Sequence, residues 1–248
     1  MKVTRQHTID FFDVAHDKTL RIEAMARFFQ DMALLHSSRV GAGPDQLFPK
    51  GLVWFLHRLE VRVKHYPVLG DKVTLSTWSR AFRQYMGLRE YTIESEQGIA
   101  VQASSVWVFF DFRKKRVTRA PEEMVAAYES ESRAQFDDEL YQWKPEKVTA
   151  LEVQTPAALR HGDYDINGHV NNTIYPGLVE TLAYSGAMAP QESSGDRLRH
   201  LKLRLGREIP LGTKGVQIGC SRIDRRNCFA VTDTDDPSVV HADGEFFF

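Results

Sequence analysis

Cysteine is scarce in this chain. Among 248 residues only Cys220 and Cys228 carry a thiol, on either side of an expected turn at Asp224 to Asn227. With no CxxC spacing and no secretory context, we expect both to be reduced and predict no structural disulfide. The histidines lack HExxH-type spacing, so neither a metal site nor a cofactor is expected.

Long apolar runs are also missing. No uninterrupted stretch approaches the roughly 20 residues of a membrane span, and the N-terminal MKVTRQHTIDFF lacks the hydrophobic region of a secretion signal. Neither sign of charge is in excess, since the formal net charge is -1, whereas generic nucleic-acid and membrane binders usually have a marked basic excess. We therefore expect a cytoplasmic protein that binds neither nucleic acid nor membranes.

Apolar residues are abundant enough, at 42%, for a folded core. The length suits one large domain or two domains of about 120 residues each, and two fit best. An amphipathic helix of about four turns is predicted from Ile22, capped by Asp17 or Thr19 and ended by the Gly and Pro residues of positions 41–44. Its apolar face comprises Ile22, Met25, Ala26, Phe29, Met32, Ala33 and His36.

Strand-like runs separated by turn signals follow this helix, over residues 52–66, 72–82, 87–95 and 100–112. The second half repeats the order. A helix is predicted from about Asn171 to Met188, with Pro176 in its first turn, and Ile174, Leu178, Leu182 and Ser185 are expected to share one face. Strands are then predicted over residues 197–205, 215–223, 228–234 and 239–248.

The two halves also match residue by residue, which suggests an internal duplication. An offset of 150 aligns Leu20 with Val170, and a looser offset of 142 aligns Gly70 with Gly212. We predict an N-terminal domain over residues 1–128, a charged connector over 129–150 and a C-terminal domain over 151–248. Tyr141 and Trp143 are expected to hold the connector to a domain surface.

Asp165, Asn167 and His169 stand at alternate positions just before the second helix. A carboxylate can act as base or nucleophile, a carboxamide can hold a carbonyl or a water, and imidazole can donate a proton near neutral pH. The alternative is that Asp165, Asn167 and Asn171 only cap the helix and form Asx turns. Capping needs one such side chain rather than a cluster, which favours a catalytic role.

Only the second half carries this cluster. Ala15, Asp17 and Thr19 occupy the equivalent positions of the first half. We therefore predict that the second copy is catalytic and that the first shapes the substrate pocket.

The segment DYDINGHVNNTIY, residues 163–175, resembles the active-site loop of hotdog-fold thioesterases, and its DxNxHVNN form is similar to that of acyl-ACP thioesterases. The FFQDMALLHS helix, the run WFLHRLEVRVKHYPVLGD, the Thr77-Trp78 pair, and Ser105 with Trp107 also resemble that family in order. The resemblance covers most of the chain. It implies an α+β tandem hotdog, in which each half is a long helix wrapped by a curved antiparallel sheet. It also implies hydrolysis of the fatty acyl-ACP thioester that ends chain elongation, with the acyl carrier protein as partner.

A second carboxylate is also implied by the resemblance, and we place it at Glu208. The next position, often Cys in plant members, is Ile209 here, which removes thiolate catalysis. The alternative for Glu208 is an exposed charge balanced by Arg204 or Arg207.

These assignments give each polar residue a role. Asp165 is predicted to act as base or nucleophile, and Glu208 to orient water or His169. Asn167, His169 and the helix amides are predicted to bind the substrate carbonyl or oxyanion.

Substrate binding is assigned to four further residues: Met25, Phe29, Asn171 and Asn172. Met25 and Phe29 are candidates for control of chain length, with ordinary core packing as the alternative. Two basic runs, residues 113–116 with Arg119 and residues 197–207, can meet an acidic carrier protein, although solvated turns and strand faces explain them equally well. The oligomeric state, monomer or homodimer, stays open.

Two rival functions use the same residues. An acyl-CoA thioesterase needs the same loop but favours nucleotide contacts over a carrier-docking face. A non-catalytic sensor of acyl thioesters needs only the pocket, and would not require all four polar positions of the second half. A dehydratase is disfavoured, because no hydratase-type loop is present.

Overall fold

The computed structural model describes residues 1–137, 139–148, 151–185, 197–224 and 226–248. The chain divides into two compact units, Met1–Trp143 and Lys144–Phe248. The expected helix end at Met188, the centre of the expected turn at Arg225, and connector positions 138, 149 and 150 lie outside the described residues. Within the described ranges, no helix combines the length and the apolar character that a membrane span needs.

The described part of the first unit has six strands, one long helix and two short helices. The elements are β1 (Lys2–Thr8), α1 (Ile22–Arg39), α2 (Pro44–Leu47), β2 (Leu52–Val63), β3 (Lys72–Arg83), β4 (Met86–Ser95), β5 (Gly98–Asp111), β6 (Arg116–Val117) and α3 (Glu122–Ala127). The strands pair antiparallel in the order β1-β3-β4-β5-β2, and the two-residue β6 pairs with β5. Register shifts in β2 and β3 mark irregular pairs of the kind that bend a strand. The four predicted strands are confirmed.

Helix α1 begins at Ile22 as predicted, and all seven residues of its predicted apolar face are buried. The predicted cap is wrong. Arg21 is the N-cap residue, and no side chain caps the helix. The chain between Val14 and Leu20 instead closes as a bridged turn, in which Asp17 accepts hydrogen bonds from the backbone N–H and the hydroxyl of Thr19 at 3.0 and 2.6 Å.

Residues 129–137 and 139–143, expected in the connector, pack on the sheet of the first unit. The backbone N–H of Glu131 donates to the Ser79 carbonyl at 2.9 Å, and the indole of Trp78 donates to the Arg133 carbonyl at 2.9 Å. Tyr141 and Trp143 pack, as expected, against an apolar cluster of Leu88, Val106 and Leu140.

A carboxyl group lies buried beneath this segment. Glu90 on β4 is 2% exposed and accepts hydrogen bonds from the Ser104 hydroxyl and, at 3.3 Å, from the backbone N–H of Gln135. Arg80 Nε lies 3.5 Å from the other carboxyl oxygen. Burial raises the pKa of Glu90 to about 7, against the lowering effect of the Ser104 hydrogen bond and the Arg80 charge.

The described residues of the second unit form one helix and five strands. The elements are β7 (Val153–Ala157), α4 (Ile174–Ala183), β8 (His200–Leu205), β9 (Val216–Ile223), β10 (Arg226–Asp233) and β11 (Val240–Phe247). The strands pair antiparallel in the order β8-β11-β10-β9-β7. The four strands predicted in this half are confirmed, with β8 beginning three residues later than expected.

Helix α4 begins at Ile174, three residues after the predicted start, and Pro176 lies in its first turn as predicted. Its buried residues are Tyr175, Pro176, Val179, Leu182 and Ala183. Of the predicted face, Leu182 is buried as expected, whereas Ile174, Leu178 and Ser185 are only half-buried, so the observed core face is centred about one residue further along the helix. The offset of 150 identifies the observed face, because it aligns Tyr175, Val179 and Leu182 with the buried Met25, Phe29 and Met32.

Both offsets of the internal repeat recur in the hydrogen bonds of the two units. The N–H groups of Leu20 and Val170 donate to the carbonyls of Pro67 and Ile209, each at 2.9 Å, and those of Leu69 and Leu211 donate to Lys18 and Gly168, each at 2.9 Å. In each pair of equivalent bonds, the residues of the turn (Leu20 and Val170, Lys18 and Gly168) differ by 150 in number. Their partners (Pro67 and Ile209, Leu69 and Leu211) differ by 142. The two units thus share one backbone framework at this place.

Candidate active site

The polar cluster of the second unit stands on a bridged turn. Tyr164 and Val170 form an antiparallel bridge, and within it the backbone N–H of Asp165 donates to the His169 carbonyl at 2.9 Å. The turn is closed at Gly168, whose φ of 76° lies in the left-handed region that favours glycine. Beneath it, buried Asp163 accepts from Arg160, and the N–H of residue 171 donates to the Asp163 carbonyl.

Asp165 and Asn167 form one hydrogen-bonded pair. The backbone N–H of Asn167 donates to one carboxylate oxygen of Asp165 at 2.8 Å, and the Asn167 carboxamide donates to the other at 3.3 Å. Asp165 is half-buried and Asn167 is exposed. The first contact is the Asx turn that the capping alternative describes, but it shapes the turn and does not cap α4.

His169 and Glu208 form a second pair, with His169 Nε2 lying 3.3 Å from a carboxylate oxygen of Glu208. The backbone brings them together, because His169 forms a bridge with Pro210 and the N–H of Val170 donates to the Ile209 carbonyl. Glu208 lies three residues beyond the end of β8. The two side chains are 34% and 49% exposed, so solvent screens their interaction and a ligand can reach them.

The first unit forms the same turn without the cluster. The N–H of Ala15 donates to the Thr19 carbonyl at 2.8 Å, Val14 and Leu20 form the bridge, and Lys18 takes the left-handed conformation with a φ of 66°. The backbone of this turn therefore does not depend on Asp, Asn and His at positions 165, 167 and 169. Their presence needs an explanation other than folding.

Asn171 and Asn172 lie between the bridged turn and α4. The Asn171 side-chain oxygen accepts hydrogen bonds from the backbone N–H and the hydroxyl of Thr173, both at 3.0 Å. Asn171 thus forms the Asx turn of the capping alternative. Asn172 is half-buried.

Tyr175 is a neighbour of the site that the sequence reasoning missed. It is 3% exposed, and burial together with the Glu208 charge raises the pKa of its hydroxyl. The tyrosine therefore stays protonated close to the Glu208 carboxylate. The offset of 150 aligns Tyr175 with Met25 on the apolar face of α1, and this alignment could have indicated that Tyr175 is buried.

An apolar cavity of about 70 Å³ lies in the first unit, beside the second half of α1. Its lining includes Ala33, Leu34, Leu47, Val53, Trp54, Phe82, Leu88 and Trp107, and among the described residues that line it Arg89 alone carries a charge. Met25 and Phe29, the candidates for chain-length control, are buried one to two turns earlier on α1 and are not part of this lining. Phe29 packs instead on Tyr91, with 4.9 Å between the ring centroids.

Both thiols lie in the sheet of the second unit, fully buried and free. Burial raises the pKa of Cys220 to about 12 and also raises that of Cys228, so neither is a thiolate near neutral pH.

In the first unit, His7, Asp10 and Asp13 bring three potential metal-ligand atoms together. His7 and Arg27 already pair with Asp13, so the cluster carries no metal assignment.

The two basic runs differ in exposure. In the second run, Lys202 is buried and Arg204 forms a bidentate ion pair with Asp243. In the first run, Lys115, Arg116 and Arg119 are all exposed. Arg199 and Arg207 of the second run are exposed as well, but the first run has the larger number of exposed cations close together in sequence.

Solved structures of the same architecture support the fold. An acyl-ACP thioesterase from Bacteroides thetaiotaomicron superimposes with a TM-score of 0.84 at 19% identity, covering 100% of this chain and 97% of the other. The 12:0-ACP thioesterase from Umbellularia californica gives 0.77 at 20% identity, covering 99% and 97%. The fold is the tandem hotdog, as the resemblance implied.

Sequence relationships give the family. The family model of the acyl-ACP thioesterase N-terminal domain matches residues 1–128. Among relatives, a palmitoyl-acyl carrier protein thioesterase of Arabidopsis thaliana is 28% identical over 233 residues, 88% of this chain and 56% of the relative. A dodecanoyl-[acyl-carrier-protein] hydrolase of Cinnamomum camphora is 29% identical over 193 residues, which are 72% of this chain and 50% of the relative. The chain belongs to the acyl-ACP thioesterase family, and it spans about half the length of these curated relatives.

Proposed function

We propose that this protein hydrolyses fatty acyl-ACP thioesters to the free fatty acid and the carrier thiol. The observation that carries the proposal is the pairing of His169 with Glu208 on the same bridged turn that presents Asp165 and Asn167. The turn forms equally well without these side chains in the first unit, so their presence is best explained by chemistry. The family relationship supplies the substrate class.

In this proposal, Asp165 is the group that starts the reaction. As a general base it takes a proton from water, whose oxygen adds to the thioester carbonyl carbon. As a nucleophile it adds to that carbon itself, and water then hydrolyses the mixed anhydride. In both routes the carbon–sulfur bond breaks and the sulfur leaves with a proton.

Asn167 and His169 are proposed to stabilise the negative charge that develops on the carbonyl oxygen, since each can present an N–H donor. Glu208 acts through His169. Its carboxylate accepts from Nε2–H of the imidazole and fixes the ring orientation, and in the doubly protonated ring Nδ1–H is then the donor to the carbonyl oxygen. Asn172 borders the same turn and is proposed to contact substrate, whereas Asn171 is committed to the Asx turn with Thr173.

The carrier protein is proposed to dock on the first basic run, because Lys115, Arg116 and Arg119 are exposed. Acidic partners bind such surfaces through long-range attraction that salt screens. Replacing Arg116 and Arg119 by glutamine should raise KM for acyl-ACP severalfold and leave turnover of acyl-CoA unchanged. Equal effects on both substrates would contradict docking at this run.

The direct test is thiol release from acyl-ACPs and acyl-CoAs of graded chain length, with wild type beside Asp165→Asn. We expect Asp165→Asn to lose activity by at least about a hundredfold, the scale of general acid–base catalysis. The matched control is Asp17→Asn, which alters the acidic residue of the equivalent turn in the first unit and should keep full activity. Full turnover by Asp165→Asn would sink the assignment.

The same assay separates the rival functions. A kcat/KM that is higher for acyl-CoA than for acyl-ACP would assign a CoA thioesterase. Binding of acyl-ACP without any thiol release would assign a sensor.

A further inference from the structure

A buried histidine lies behind the segment that carries Glu208. His241, the second residue of β11, is 3% exposed, and its Nδ1 lies 2.9 Å from the Arg207 carbonyl oxygen. A carbonyl oxygen can only accept a hydrogen bond, so Nδ1 carries the proton and donates it. No step of the proposed hydrolysis uses this histidine.

The carbonyl that His241 holds belongs to the peptide group between Arg207 and Glu208. A peptide group is planar, so a donor that fixes its carbonyl also limits the direction in which the chain continues into Glu208. The rotamers that a side chain can adopt depend on its backbone angles. The hydrogen bond from His241 therefore restricts where the Glu208 carboxylate can point.

Few other contacts constrain this peptide group. Glu208 lies outside the sheet, three residues beyond β8, and its side chain is 49% exposed. The N–H of Gly206 donates to the His241 carbonyl at 2.8 Å, and that of Arg207 donates to the Val240 carbonyl at 3.3 Å. Among the described residues, the backbone hydrogen bonds include none from the N–H of Glu208. His241 thus supplies the last hydrogen bond before Glu208 in the chain.

The first unit forms the equivalent backbone contact without a side-chain donor. The N–H of Lys64 donates to the Ala100 carbonyl at 2.8 Å, and the offset of 142 aligns Lys64 with residue 206. Ala100 therefore stands in the place of His241, and Tyr66 stands in the place of Glu208. The backbone contact needs neither polar side chain, and the two occur together in the second unit.

The second ring nitrogen of His241 leaves this donor role unchanged. Nε2 is buried, has no hydrogen-bond partner among the described residues, and lies 3.9 Å from Oδ2 of Asp233. This distance is too long for a hydrogen bond, although Asp233 attracts the ring when Nε2 is protonated. Nδ1–H therefore donates to the Arg207 carbonyl both in the neutral ring and in the doubly protonated ring.

We propose that His241 is a positioning residue that holds the peptide group between Arg207 and Glu208 so that the Glu208 carboxylate faces His169. The proposal rests on the proposed function, which gives the pair of His169 and Glu208 its role in hydrolysis. His241 is too deeply buried to contact substrate, so it acts only through Glu208. Its loss should therefore lower kcat and leave KM unchanged.

Two substitutions of His241 differ in whether they keep the donor. Asparagine places its amide nitrogen where histidine has Nδ1, so His241→Asn can still donate to the Arg207 carbonyl. Glutamine is one methylene longer and places its amide near the position of Nε2, on the side of Asp233. His241→Gln therefore keeps a polar side chain of similar size but loses the donor to the carbonyl.

The first measurement needs no substrate. His169 Nε2 and a Glu208 carboxylate oxygen are 3.3 Å apart, so NMR of the wild type should show a nuclear Overhauser contact between the imidazole protons and the Glu208 methylene protons. We expect His241→Asn to keep this contact and His241→Gln to lose it. The matched control is His200→Asn, because His200 stacks on Phe247 at the opposite end of β8 and should leave the contact unchanged.

The second measurement is steady-state kinetics with acyl-ACP. His241→Gln should lower kcat about fivefold with KM unchanged, and His241→Asn and His200→Asn should stay within about twofold of wild type. In the Glu208→Ala background, His241→Gln should have no further effect on kcat, because the group that it positions is gone. Effects that add in the double variant would assign His241 to general stability and overturn the proposal.

The outcomes separate this proposal from the proposed function. Full turnover by Glu208→Ala, or no thiol release by wild type, would count against the proposed function, and the Overhauser contact would still decide whether His241 holds Glu208. A contact that persists in His241→Gln, or that is absent from wild type, would overturn the role of His241. In an enzyme that needs Glu208, equal kcat for His241→Asn and His241→Gln would overturn it as well. If circular dichroism shows that His241→Gln does not fold, His241→Leu, which also lacks the donor, takes its place.

Discussion

Replacing Glu90 with glutamine tests how a buried carboxyl group makes the stability of the first unit depend on pH. Glu90 is 2% exposed, and burial raises its pKa from the ordinary 4.5 to about 7. Glutamine has nearly the same shape and no ionisable proton. The variant therefore removes the titration and keeps the packing beneath residues 129–143.

The sign follows from the direction of the pKa change. The native state holds the Glu90 proton more tightly than the unfolded chain does. The stability contribution is therefore complete below about pH 4.5 and is lost as pH rises to about 7 and beyond. At roughly 1.4 kcal/mol per pKa unit the full loss is about 3 kcal/mol, most of which falls between pH 5 and 8. The lowered pKa of His36, about 3, makes the native state lose stability as pH falls, which is the opposite pH dependence. Because His36 is present in both proteins, its contribution cancels in the comparison.

The measurement is urea unfolding followed by tryptophan fluorescence at several pH values between 5 and 8, for wild type and Glu90→Gln. We expect the free energy of unfolding of Glu90→Gln, relative to wild type, to increase by about 2 to 3 kcal/mol across this range. Any cost of the altered hydrogen bond with Ser104 and the lost ion pair with Arg80 is included in the variant equally at every pH. Glu94→Gln, an exposed position on the same strand, is the matched control and should leave the pH dependence unchanged. Parallel curves for wild type and Glu90→Gln would refute the reasoning.

Three further predictions concern the site and the thiols. Glu208→Gln should lower kcat about tenfold with KM unchanged, because the amide keeps the shape of the partner of His169 but not its charge. Steady-state kinetics with acyl-ACP measures this change, and an unchanged kcat would contradict the prediction. Met25→Trp should shift the product profile towards shorter chains, because the larger ring fills space on the buried face of α1; chromatography of the released fatty acids measures it, and an unchanged profile assigns Met25 to core packing. Cys220 and Cys228 should resist a thiol reagent at pH 8 in the native protein and both react in urea, because they are fully buried; rapid reaction of the native protein contradicts their burial.

The hydrophobic periodicity of the sequence predicted the regular elements well. The apolar face of α1 and the eight strands after the two long helices appear in the structure, because alternation and helical spacing report directly which side chains are buried. The buried face of α4 was missed by one residue. Alignment with the first half corrects it, since the duplicated helix packs the same positions.

Caps and the connector could not be predicted in the same way. Asp17 and Thr19 have the composition of a helix cap, yet the turn in which they lie closes on itself through the bridge between Val14 and Leu20. Residues 129–143 are rich in charge, so their composition does not indicate the buried groups of the sheet with which this segment forms hydrogen bonds. The cap was predicted wrongly because a local pattern does not contain the long-range hydrogen bonds that decide the outcome, and for the same reason the sequence predicted only the Tyr141 and Trp143 contacts of the connector.

The candidate site was predicted as a set of residue types, with Glu208 expected to orient either water or His169, but the sequence could not decide between these two partners. The spacing of Asp165, Asn167 and His169 indicated a cluster in one turn. That Glu208 meets His169 depends on the bridge to Pro210, a contact between segments about 40 residues apart in sequence.

The bridged turn of the two units is one backbone structure that carries different side chains in each unit. Because its backbone closes with Ala, Asp and Thr in one copy and with Asp, Asn and His in the other, the side chains that it presents can change without rebuilding the fold. Its partner strand end is duplicated too, with Tyr66 in the place of Glu208. A duplicated framework of this kind therefore allows the two copies to carry different side chains at this turn while they keep the same backbone hydrogen bonds.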